Sequence, residues 1–214
     1  MISPKYALSH YYFKGLTNPH VVNLYLDYNC PFSAKMYFTL FKTIPQVQKK
    51  HPDVFQFVFV NVVQPWHPQS VLLNEYALVV AQLLREKAPE KSNELFWNVS
   101  YELFANKDKF FDSVTSNVGR NDYYKLINDV VFDKLELPIT KTDVLGKLEI
   151  AATDLANASN AGNAAIADVK YFTRYLRGVG VHITPTVSVN GIVADLLSSA
   201  STTEELIKVF ESFQ

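Results

Sequence analysis

Cys30 is the single cysteine of a 214-residue chain and stands in the stretch Tyr28-Asn29-Cys30-Pro31-Phe32-Ser33. One thiol cannot close a disulfide within the chain, so redox chemistry here needs a second thiol from outside. A cysteine at the start of a helix meets unpaired backbone N–H groups and the positive end of the helix dipole, which favour the thiolate, the nucleophilic form. Pro31 fixes φ and lacks an N–H, so it can begin the helix while leaving the amides of Phe32 and Ser33 directed at the sulfur. Ser33 stands where a dithiol enzyme carries its second cysteine. Its hydroxyl can donate a hydrogen bond to a thiolate but cannot resolve a mixed disulfide. The competing reading makes Cys30 a small buried hydrophobe, the commoner use of a free cysteine.

Asp27, three residues earlier, has two open readings: a proton acceptor that polarises the site, or a strand-end residue making a turn or cap bond. Lys35 reads as a solvated helix lysine. Phe32, Trp66 and His67 either line a pocket for an apolar or peptide substrate or pack internally, and packing is the favoured reading. His10, His20, His51, His67 and His182 show no metal-ligand spacing, so no metal is expected. His182, two residues before Thr184, could tune the thiolate if its loop meets Cys30; by default it packs or points to water. Gly178-Val179-Gly180 is no dinucleotide fingerprint, because Ile183 stands where the third glycine belongs, and neither a P-loop nor a nucleophile elbow occurs.

The elements that must position Cys30 follow from periodicity. Val21 to Asp27 alternates Val22, Leu24 and Leu26 against Asn23, Tyr25 and Asp27, which predicts a strand. Met36, Tyr37, Leu40, Phe41 and Ile44 then recur at helical spacing, with Pro45 expected to end or kink that helix. Val54 to Val60 predicts a second strand and completes a βαβ unit, hence a parallel pair. After Gln64-Pro65-Trp66-His67-Pro68 the pattern is helical as far as a segment closing at Gly178, the predicted C-cap. Thr186 to Val189 predicts a strand, Asn190-Gly191 a hairpin turn into Ile192-Val193, and Thr202 with Glu205 a capping box for the last helix. Thr184-Pro185 lies at the start of that strand, where a cis linkage would mark a tight turn. The picture is a split α/β domain with helices inserted in its middle.

LYLDYNCPFSAKM and GVGVHITPTVSVNG resemble the two signature segments of DsbA-like thiol oxidoreductases of the thioredoxin superfamily. The resemblance covers residues 20 to 214 and implies a thioredoxin-like domain at 1–64 and 165–214 with an inserted helical domain at 65–164. It implies that Cys30 is the nucleophile and that Thr184-Pro185 is a cis-proline loop facing it, where the backbone of a peptide or glutathione pairs in extended form. Pro31 and Phe32 would join that loop in binding substrate. The family motif is Cys-x-x-Cys, and Ser33 departs from it. The expected activity is therefore monothiol exchange, with glutathione as a co-substrate, a peptide or glutathione disulfide as partner, and no permanently bound cofactor. A second resemblance, to kappa-class glutathione transferases, allows glutathione transfer. A non-catalytic binding protein is the third class.

Bulk composition narrows the partners. A net charge of −1 from 20 basic and 21 acidic residues gives no electrostatic footprint for nucleic acid or a membrane surface. No apolar run approaches the roughly 18 residues of a membrane span. The N-terminal residues read as no secretory signal, so the cytoplasm is the expected compartment if Met1 is the native start. Asn98-Val99-Ser100 and Asn157-Ala158-Ser159 are sequons that matter only on a secreted chain, and no glycosylation is expected.

Overall fold

A computed structural model describes residues 1–214. Strand β1 (His20–Leu26) leads into helix α1 (Pro31–Lys50), and β2 (Phe55–Asn61) returns beside β1 in parallel, with Val22 opposite Phe57. Helices α2 (Ser70–Lys87), α3 (Ser92–Ala105), α4 (Asp112–Thr115), α5 (Arg120–Phe132), α6 (Lys141–Leu148) and α7 (Ile166–Val179) follow before the chain re-enters the sheet. There β3 (Thr186–Val189) pairs antiparallel with β1, β4 (Ile192–Val193) pairs with β3, and α8 (Thr203–Glu211) closes the chain. The sheet order is β2-β1-β3-β4, so the strand that carries the cysteine loop is central and the returning strand lies next to it.

That central place explains a departure from the expected alternation in β1. Every residue from Val22 to Leu26 is buried, the polar Asn23 included, because both faces are covered. Asn23 meets its cross-strand partner instead of water: Nδ2 donates to Ser188 Oγ at 3.3 Å. Phe57 and Phe59 of β2 project to one face, where Phe57 meets Phe210 of α8 and Phe59 meets Tyr37 of α1 and Trp97 of α3. The outer edge of β2 is closed by the N-terminal segment: Tyr12 N donates to Phe57 O at 2.8 Å and Phe59 N to His10 O at 2.9 Å. An unpaired edge is thereby removed, and His10 is carried into the core.

Two punctuation marks fall elsewhere than the sequence suggests. Of the two outcomes expected at Pro45, an end to the helix does not occur: α1 runs five residues further to Lys50, and although the proline loses its own hydrogen bond to Phe41 O and crowds that carbonyl, the buried stripe continues through Val47. Helix α7 passes through Gly178 and stops at Gly180, whose φ of 71° is the left-handed cap conformation. The Asn190-Gly191 turn has φ of 53° and 87°, as a two-residue hairpin requires, and the Thr202–Glu205 capping box is fully formed. No helix is long and apolar enough to cross a membrane.

Candidate functional site

Cys30 is the N-cap of α1, with Pro31 as the first helical residue, so the strand–cysteine–helix order places the thiol at the C-terminal end of the central strand. Its backbone is held at both sides: Cys30 N donates to Asp27 O at 3.0 Å, and Ala34 N donates to Cys30 O at 3.1 Å. The Thr184-Pro185 peptide bond is cis, and Cys30 Sγ donates to Thr184 O at 3.6 Å. Two loops that are 154 residues apart in sequence therefore meet at the sulfur. That bond uses the thiol proton, so only the protonated sulfur can make it.

Two details of the expected site are corrected. The sulfur makes no hydrogen bond to the amides of the first turn of α1; it is turned instead toward the Thr184 carbonyl. Ser33 Oγ accepts from Asp27 N at 3.2 Å and makes no hydrogen bond to Cys30 Sγ, so the hydroxyl braces the strand end rather than touching the thiol. Cys30 itself is only 3% exposed, and an attack on a disulfide therefore needs the covering loops to part.

Asp27 organises those loops. Its carboxylate is fully buried and accepts from Asn29 N at 2.9 Å and Ser70 Oγ at 2.7 Å on one oxygen, and from Gln64 N at 3.3 Å and His67 Nδ1 at 2.7 Å on the other. With both oxygens committed, the cap-and-turn reading of Asp27 fits the geometry, and its carboxylate makes no bond to Cys30 Sγ. Gln64 extends the same clamp, since its Nε2 donates to His182 O at 3.1 Å, next to the Thr184 loop. The segments at 27–30, 64–70 and 182–185 are thus tied together through one carboxylate and one amide.

His182 contributes only that carbonyl; its exposed side chain has no hydrogen bond. Lys35 is exposed, as expected. Phe32 and Trp66, expected to pack, are 61% and 60% exposed, and Ile183 is 66% exposed. Each of the three segments that meet at the thiol therefore presents one large apolar side chain to solvent. A surface groove bordered by Pro185, Thr186, Ile183 and Val193 continues from the Thr184 loop. Asn29, Gln64, His67 and Ser70 were not singled out as clamp residues by the sequence. The one local signal was position: Gln64, His67 and Ser70 follow shortly after the C-terminal end of β2, the end of a parallel pair where sites form.

No protein-family model matches the chain, and no curated protein matches it by sequence. Solved structures do. A candidate protein-disulfide isomerase from Pseudomonas syringae superposes with a TM-score of 0.71 at 20% identity, covering 95% of this chain and 98% of that one. BdbD from Bacillus subtilis, in its oxidised form, gives 0.62 at 21% identity over 99% and 94%. MdbA, a thiol-disulfide oxidoreductase from Corynebacterium diphtheriae, gives 0.56 at 13% identity over 90% and 83%. The chain has the DsbA-like thioredoxin fold. Within that DsbA-like frame the Cys30 and Thr184-Pro185 loops face each other, as the sequence resemblance implied, and no group of residues suited to hold a metal ion is present.

Proposed function

We propose that the protein catalyses monothiol exchange through Cys30. The observation that carries this reading is the contact of Cys30 Sγ, at a helix N-cap, with Thr184 O in the cis-proline loop, with Ser33 where a second cysteine would resolve the intermediate. The thiolate attacks a glutathionylated substrate, forming the Cys30–glutathione disulfide and releasing the substrate thiol. Free glutathione then attacks that disulfide, giving oxidised glutathione and regenerating Cys30. Glutathione is a co-substrate in this scheme, not a resident group. Exposed Phe32, Trp66 and Ile183 suit an apolar or peptide substrate lying across the three loops, and the Thr184-Pro185 backbone is the partner for its main chain. Residues 1–64 and 165–214 would act as the redox domain, with 65–164 as its helical insertion.

With a glutathionylated peptide and free glutathione, the protein should release peptide thiol catalytically, and Cys30→Ser should abolish the reaction. Net oxidation of a dithiol peptide in the absence of any second thiol would contradict the monothiol scheme. A second reading, a binding scaffold without catalysis, is favoured by the low exposure of Cys30 and predicts peptide binding that survives Cys30→Ser.

A further inference from the structure

We propose that Arg85 is a positioning residue for the Cys30 site, acting through an oriented chain of buried hydrogen bonds from its guanidinium to the Asp27 carboxylate. Arg85 Nη1 donates to Ser9 Oγ at 2.8 Å, Ser9 Oγ meets His10 Nδ1 at 2.8 Å, and His10 Nε2 meets Asn61 Oδ1 at 2.8 Å. Asn61 Nδ2 donates to Asn74 Oδ1 at 2.9 Å; Asn74 Nδ2 donates to Ser70 O at 2.9 Å and reaches Ser70 Oγ at 3.4 Å. Ser70 Oγ donates to Asp27 Oδ1 at 2.7 Å. Every side chain from Ser9 to Asp27 along this path is buried.

The sense of each bond is forced by its neighbours. A carboxylate only accepts, so the Ser70 hydroxyl must donate to Asp27. Asn74 faces two carbonyls, Ser70 O and Val62 O, so its amide nitrogen must point there and its oxygen toward Asn61. Asn61 then presents oxygen to His10, which must carry its proton on Nε2 and accept on Nδ1. Burial holds His10 neutral, with its pKa lowered to about 3, which leaves one ring nitrogen free to accept. The Ser9 hydroxyl therefore donates to His10 and accepts from Arg85. All the donors point one way, from a cation to an anion.

Arg85 makes no ion pair of its own; Asp168, nearby, is already held by Lys5 and by Tyr6 Oη at 2.9 Å. The dipoles between Arg85 and Asp27 align head to tail and polarise one another, so the positive end of the chain is felt at the Asp27 carboxylate. Asp27 Oδ1 accepts from Asn29 N at 2.9 Å, one residue before Cys30, which sets a buried carboxylate beside the cysteine loop, where its charge opposes the thiolate. Drawing that charge toward Arg85 favours reaction at Cys30. Without the guanidinium the Ser9 hydroxyl is free to turn to Tyr6 O, at 3.4 Å, and the tautomer of His10 is no longer fixed.

This inference takes its readout from the reactive Cys30 of the exchange reading. The test uses the full chain and the rate of Cys30 alkylation by iodoacetamide at pH 7, with the thermal midpoint of each variant. Arg85→Met should slow alkylation about fivefold and Arg85→Lys should restore most of the rate. Ser9→Ala, which leaves Arg85 in place and cuts the next link, should slow it similarly. Arg120→Met removes a guanidinium from a buried carboxylate off the chain and should lower the midpoint with no change in rate. Wild-type rates in Arg85→Met and Ser9→Ala, or an equal loss in Arg120→Met, would overturn the proposal. A wild-type protein that is alkylated but forms no glutathione adduct would defeat the exchange reading while leaving this comparison of rates intact.

Discussion

Three carboxylates are buried in this protein, and two of them, Glu75 and Asp27, have contrasting surroundings. Glu75 on α2 is met by Arg120, whose Nη2 lies 2.9 and 2.6 Å from its two oxygens, and by the hydroxyl of Tyr124, all within the block formed by α2 and α5. Asp27 has no such fixed cation. Its four donors are two backbone amides, a hydroxyl and an imidazole, drawn from segments that converge on Cys30. The first arrangement joins helix to helix and ends there. The second spans loops that must part for the thiol to react, and it continues through the core to Arg85. A buried ion pair that is locally closed adds rigidity; a buried anion held by hydrogen bonds from converging loops can hold a site together and still let its loops move.

The largest effect should come from Asp27→Ala, which strands four donors from two segments. A loss of about 4 kcal/mol in denaturant unfolding is expected, accompanied by a changed Cys30 alkylation rate in the folded protein. Unaltered alkylation would remove Asp27 from the site. Glu75→Ala strands Arg120 and Tyr124, but Arg120 is 40% exposed and can rehydrate, so about 2 kcal/mol is expected, with alkylation unchanged. A change in alkylation there would erase the contrast between the two centres.

Acid separates them more gently. The Asp27 chain contains His10, whose pKa is lowered to about 3 by burial, whereas no histidine bonds to Glu75. In the unfolded chain His10 takes up a proton near its ordinary value of about 6.5, while the folded protein resists it down to about 3. Between those values the unfolded state binds more protons, so stability present above the window is lost as pH falls. The slope approaches about 1.4 kcal/mol per pH unit for this one group. His10→Gln should flatten the unfolding free energy across that range; an equal slope in both proteins would show that His10 does not titrate as its burial requires.

What the sequence disclosed of this divides along the same line. Local chemistry was legible: Cys-Pro at a helix start, Asn-Gly at a hairpin and Thr-x-x-Glu at a capping box each act over a few residues, and each lies where expected. The meeting of Cys30 with Thr184 came from the paired motifs and their resemblance, whereas the order of the strands is seen only in the structure. The clamp on Asp27 was not legible, because His67 lies 40 residues away and nothing in its neighbourhood names its partner. The chain through His10, Asn61 and Asn74 was hidden for the same reason. It depends on the N-terminal segment pairing with the edge of β2, a contact with no periodic signature. Phe32 and Trp66 were expected to pack because large aromatics usually do, and here the loops carrying them turn outward.

The central claim, that Cys30 is a working monothiol, is tested most directly by the intact mass of the native protein after exposure to oxidised glutathione, paired with iodoacetamide alkylation across pH. One glutathione adduct on Cys30, reversed by excess free glutathione, lost in Cys30→Ser, and alkylation that is already rapid at neutral pH are the expected results. A thiol that stays unmodified in the native protein and reacts only in denaturant would contradict the claim. Cys30, 3% exposed, would then be a packing residue in a thioredoxin-like scaffold that binds without reacting.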